Sequence, residues 1–176
     1  MSIILMAIGA ADCDILLVLR QRLPEVFAHP AAIGRALPDY GDAYNPVRRQ
    51  TLATFILNAL EEQEECLCCE RVLGIVESDL YIPGLLYAFG AARGRVAVIS
   101  LCRLRPSFYR LPPDREVLRV RALTEAVHEL GHTFGLGHCR NPACAMFMSD
   151  SIGDTDRKRP AFCPGCQSRL FCRSAA

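Results

Sequence analysis

Neither sign of charge is in excess in this 176-residue chain: 20 Lys and Arg face 19 Asp and Glu, a net of +1. That balance excludes a basic field able to hold nucleic acid non-specifically, and an acidic tail able to hold a basic partner. Long apolar runs are missing too. The longest, such as Ile3 to Ala11, fall well short of the ~20 residues a membrane-spanning helix needs, so no membrane partner is expected. No positively charged segment precedes that run, and Asp12 and Asp14 follow it, so it reads as a buried strand and not as a signal peptide. Without a secretion signal the expected location is cytoplasmic, where thiols stay reduced. Histidine is scarce, with only His29, His128, His132 and His138. Lysine is scarcer still: Lys158 is alone, in an Arg157-Lys158-Arg159 run that reads as a solvated turn.

Apolar residues make up 51% of the chain and charged residues 22%, which excludes a disordered or low-complexity protein. A chain of this size buries roughly 70% of its unfolded surface and needs no disulfide staples. Its 10 cysteines therefore point to metal before disulfides. Ser2 to Gly9 lacks helical period and predicts a strand. Asp14 is the expected N-cap of a helix carrying Ile15, Leu16, Leu19, Leu23, Val26 and Phe27 at three- and four-residue spacing, with Pro24 disturbing its last turn. Residues 28–47 predict loop with one short strand, and 48–62 a second helix. Arg71 to Val76 and Arg95 to Leu101 predict strands, and residues 79–92 an irregular or edge strand. Asp114 should cap a third helix, whose stripe is Val120, Leu123, Val127, Leu130 and Phe134 and whose end is Gly135. Beyond it no period is readable. The expectation is a mixed α/β lobe over residues 1–138 and a small irregular Cys-rich lobe over 139–176, together one compact domain.

His128-Glu129-Leu130-Gly131-His132 lies on the third helix. Four residues make about 400° of rotation, so both imidazoles leave one face, one turn apart, and can share a zinc ion. Glu129 is offset by about 100°, where a general base belongs. A sharp turn at Gly135 would let His138 reach the same ion. Three His ligands leave a fourth position for water, which marks a catalytic site. With 4 His, 10 Glu and 12 Gly in the chain, H-E-x-x-H-x-x-G-x-x-H arises by chance in about one such chain in 100,000. The bland alternative is two core histidines, but the apolar stripe already supplies the core face. Next come Cys139-x₄-Cys144 and Cys163-Pro-Gly-Cys166, two short-spaced pairs able to give four thiolates to a structural zinc. Two disulfides, free thiols, or a redox C-x-x-C at a strand-to-helix junction are the alternatives. Cys13, Cys66, Cys68, Cys69, Cys102 and Cys172 read as buried or incidental thiols.

The metal motif resembles that of the metzincin zinc peptidases. HELGHTFGLGHCRNPACAM followed by FCPGC is similar to the archaemetzincins in particular, as are DLYIPGLLYAFG and VAVISLCRL upstream. The likeness spans most of residues 71–171 and is strongest over 128–166. It implies a metzincin-like fold and a zinc metallopeptidase holding two zinc ions and acting on peptides or proteins, with an aminopeptidase preference. It implies His128, His132 and His138 as ligands of a catalytic zinc, and Glu129 as general base. It implies Cys139, Cys144, Cys163 and Cys166 as ligands of a structural zinc. Met146 is implied in the turn beneath the catalytic site, with Met148 its competitor. Leu86 and Ala91 depart from the pattern, standing where polar residues are expected. Residues 84–92 are the candidate edge for pairing with substrate backbone. A free amino terminus needs an acidic partner; Glu77 and Asp79 lie near that edge, and either can be structural. The rival reading is a zinc-stabilised binding protein with an idle peptidase site, or a zinc ribbon on nucleic acid. Retention of Glu129 argues against the first and net charge against the second.

Overall fold

A computed structural model describes residues 2–63 and 71–174, with side chains through residue 170. Strand β1 (Ile3–Ala7) leads to helix α1 (Cys13–Phe27), then β2 (Ala31–Ile33), β3 (Tyr44–Asn45), β4 (Gln50–Leu52) and α2 (Ala53–Glu61). After them come β5 (Arg71–Val76), β6 (Leu80–Tyr81), β7 (Gly90–Arg93), β8 (Val96–Ser100), α3 (Arg115–Thr133), α4 (Ile152–Arg157) and α5 (Pro164–Ser174). The main sheet has the order β2-β1-β5-β8-β7. Its pairings are parallel except β7 with β8, which is antiparallel and leaves β7 at the sheet's edge. A smaller sheet, β3-β4-β6, flanks it.

Period-two alternation builds three layers. Ile3, Leu5, Leu73, Ile75, Ala97 and Ile99 face α1 and α3 in one core. Met6, Val72, Val76, Val96 and Val98 face α2 in the other. Because both faces are covered, β5 and β8 read as nearly unbroken apolar runs. The first core also takes in Met146, Phe162, Cys166 and Leu170, so the Cys-rich segment packs directly on α1 and α3. Among the described residues no helix is long and apolar enough to cross a membrane.

Several boundaries differ from expectation. Asp12, not Asp14, caps α1, accepting from the Asp14 amide at 3.1 Å. The segment expected as one helix over 48–62 begins as β4, whose Thr51 amide bonds Asp79 O at 2.7 Å; sheet pairing there overrides helical period. Val120 does not join the core and is 52% exposed; Leu118, two residues earlier, is buried instead. The segment after residue 138, where no period was expected, holds two short helices, α4 and α5. Cys66, Cys68 and Cys69 lie outside the described residues, as does the Cys172 side chain.

Candidate metal centre

Asp114 starts α3 by accepting from the Val117 amide at 3.0 Å. From Arg121 onward nearly every α3 side chain is buried, so the helix runs through the middle of the protein and carries His128, Glu129 and His132 with it. The helix ends at Thr133, and Gly135 at φ 83° reverses the chain, with Leu136 N bonding Gly131 O at 3.0 Å. That reversal brings His138 back. The ring centroids lie 4.6 Å (His128–His132), 5.4 Å (His128–His138) and 4.9 Å (His132–His138) apart. One ligand atom from each of the three falls within 4.8 Å of the others.

The proton positions follow from the carbonyls. His128 Nδ1–H donates to Ala145 O at 2.7 Å and His132 Nδ1–H to Leu136 O at 2.8 Å, since a carbonyl only accepts. Burial, reinforced by the positive charge of Lys158, holds the His128 pKa down at about 3, and burial lowers that of His132. Both imidazoles are therefore neutral and present bare Nε2 lone pairs to each other across 3.1 Å. Two facing lone pairs repel unless a cation lies between them. Bonds of 2.0–2.1 Å to one tetrahedral zinc would set two nitrogens about 3.3 Å apart, so the pair fits that ion.

Glu129 is buried beside these rings. Its carboxyl is raised well above the usual range, by burial first and then by neighbouring Glu125, with Lys158 opposing. Glu125, one turn earlier, meets Lys158 Nζ at 2.8 Å and Thr155 Oγ1 at 2.9 Å. Sequence reasoning missed both partners: Lys158 sits in the solvated-turn run yet its side chain is fully buried. The available signals were the four-residue spacing of Glu125 from Glu129 and the singularity of the lysine.

A cleft of about 570 Å³ opens over the three histidines and Glu129, walled by residues 84–92 and by Met148, Ser149 and Asp150. Tyr87 OH donates to Asp150 O at 2.6 Å, joining the two walls. Arg48 Nη2 holds the carbonyls of Leu85 and Leu86, each at 2.9 Å. Leu86 projects 84% exposed from this lip, whereas Ala91 is buried in β7. Glu77 and Asp79 do not reach the cleft: Arg105 binds Glu77 and Arg103 binds Asp79 through two nitrogens at 2.7 and 2.8 Å. Both acids serve structure. Met146 is fully buried, its sulfur against Gly131, while Met148 is half exposed on the cleft wall.

The sulfurs of Cys139, Cys144, Cys163 and Cys166 converge within 4.8 Å. Cys139 and Cys163 Sγ stand 3.8 Å apart, far beyond the ~2.05 Å of a disulfide. The Cys166 amide lowers the Cys163 thiol to about 7, while burial raises Cys144 and Cys166. The C-x-x-C does open a helix, α5, but its sulfurs join a four-thiol group, the donor set of a closed zinc site. Cys13 and Cys102 are in neither ligand cluster.

The profile of Peptidase family M54 matches residues 14–171. Archaemetzincin of Pyrococcus abyssi is 42% identical over 175 residues, covering 96% of this chain and 93% of that protein. The crystal structure of archaemetzincin from Methanopyrus kandleri superposes with a TM-score of 0.87 at 35% identity, covering 99% of this chain and 96% of that one. A zinc-dependent peptidase from Methanocorpusculum labreanum gives 0.87 at 28% identity, covering 96% and 100%.

Proposed function

The chain belongs to peptidase family M54, the archaemetzincins, and is a zinc metallopeptidase acting on peptides or proteins; from that premise we propose that Glu129 is its general base and that each chain holds two zinc ions. His128, His132 and His138 hold the catalytic ion, and Cys139, Cys144, Cys163 and Cys166 the structural one. Met146 forms the turn beneath the catalytic site. The observation that carries this reading is the pair of neutral imidazoles facing each other across 3.1 Å with Glu129 beside them.

Zinc bound there supplies a Lewis acid and brings the pKa of water toward ~7. The remaining chemistry is the chain's own. The Ala145 and Leu136 carbonyls fix both ring tautomers and orientations. Glu129 takes a proton from the attacking water and delivers it to the leaving amine. Burial favours the protonated form of Glu129, and a neighbouring cation would pull it back towards the carboxylate that can take the proton. The exposed edge of β7 offers backbone groups for an extended substrate strand. An amino-terminal preference is part of the proposal: Asp150 lines the cleft, and its carboxylate has no partner among the described residues. The 1–138 and 139–176 lobes, a cytoplasmic location and the absence of a nucleic-acid partner complete it.

Glu129→Gln tests the mechanism. It keeps the ligands and the side chain's size, so zinc content and melting temperature should hold while hydrolysis of a peptide library falls at least ~10²-fold. His132→Ala should lose one zinc along with activity. Equal cleavage by Glu129→Gln refutes the base assignment. A fully zinc-loaded wild type that cleaves nothing in the library supports the idle-site rival. Faster cleavage of free than of N-acetylated peptides supports the amino-terminal preference, and equal rates oppose it.

A further inference from the structure

Two carboxylates one turn apart on α3 are held in opposite ways. Glu125 is bound by an ammonium and a hydroxyl. Glu129 accepts no hydrogen bond from any described residue, although it is only 6% exposed. Among the described residues, then, only packing holds in place a side chain that must meet the attacking water.

The packing partner is Gly90, the first residue of edge strand β7, which also lines the cleft. A Cβ placed on Gly90 would stand 2.6 Å from Glu129 Cγ, 2.8 Å from Glu129 Oε1 and 2.7 Å from the Val98 carbonyl oxygen. Gly90 has no left-handed φ, so the position needs glycine for space and not for backbone conformation. The Glu129 side chain lies in the gap that the missing Cβ leaves. Of the atoms crowded there, the carboxylate arm is the one free to rotate away.

We propose that Gly90 is a positioning residue for hydrolysis: the notch it leaves in β7 sets where the Glu129 carboxylate sits, in place of a hydrogen bond. The proposal rests on Glu129 being the base. Any side chain at position 90 drives the carboxylate out of the notch, and misplacement of a reacting group by about 1 Å can cost ~10²-fold in rate.

The test is a double-mutant cycle of Gly90→Ala and Glu129→Ala on zinc-loaded protein, using the peptide cleaved best in a mixed library. Gly90→Ala should lower kcat by at least ~10-fold with KM changed less than about twofold and zinc content unchanged. In the Glu129→Ala background, where both arm and base are gone, adding Gly90→Ala should change the residual rate by less than about twofold. Equal losses in the two backgrounds overturn the proposal, as does a rise in KM with kcat intact, which would make Gly90 a substrate contact. A Glu129→Ala protein as active as wild type instead overturns the base reading. If Gly90→Ala purifies only together with Glu129→Ala, the notch belongs to Glu129 as proposed. If it fails to fold in both, the Val98 carbonyl is what demands glycine, and the proposal falls.

Discussion

Replacing Lys158 with methionine would remove one ammonium and keep most of the side chain. In the structure Nζ lies 2.8 Å from Glu125 Oε1, with the two side chains 0% and 3% exposed. A weaker contact runs from Nζ to Phe147 O at 3.4 Å. Without the ammonium, Glu125 keeps only the Thr155 hydroxyl at 2.9 Å, inside a site that also holds Glu129. Breaking a buried pair from one side costs about 3–5 kcal/mol, because the surviving charge is desolvated and uncompensated. At about 2–4 °C per kcal/mol for a chain of this length, the melting temperature should fall by roughly 6–20 °C. Removing both charges, as Lys158→Met with Glu125→Leu, should recover most of that loss. Apolar replacements of a buried pair are often neutral, and Thr155 still has Ser149 Oγ at 3.2 Å. Urea unfolding under zinc saturation is the assay, since metal loss would shift stability by itself. A single variant within ~1 kcal/mol of wild type, or a double variant no better than the single, refutes the reasoning.

Gly131→Ala should destabilise by about 1–3 kcal/mol in thermal melts, because the new Cβ would overlap Met146 Sδ and crowd Phe162. Cys166→Ser should lower the zinc content by one ion and leave the His-bound ion measurable by elemental analysis, whereas loss of both ions would show that the sites are not separable. A chelator should strip the His site first, since His138 is exposed and the cleft open, while Cys144 and Cys166 are buried; cobalt spectra that lose thiolate bands first would contradict this. Asp114→Ala should cost about 1 kcal/mol by removing the 3.0 Å cap on Val117 N, readable in urea midpoints.

The three-histidine cluster was legible in the chain because its geometry is local. A four-residue spacing on a helix places His128 and His132 on one face whatever surrounds them, and Gly135 announces the reversal that returns His138. The four cysteines were legible for a related reason: each pair closes a short loop, so only the meeting of two loops had to be inferred. The strands of the main sheet showed as apolar runs because both their faces are covered. Local patterns said nothing about which strands would be neighbours. Placing β5 between β1 and β8, and β7 at the open edge above Glu129, depends on contacts between distant segments. The same holds for Asp79, whose Arg103 partner removes it from the cleft, and for Tyr87, which reaches Asp150. Lys158 shows the difference most plainly. Its sequence neighbours are Arg157 and Arg159, and beside them it reads as surface; only the packing of α4 against α3 buries it and gives it Glu125. A helix declares its own faces through its period, but the partner of a buried charge and the space left by a missing Cβ exist only once separate elements have met.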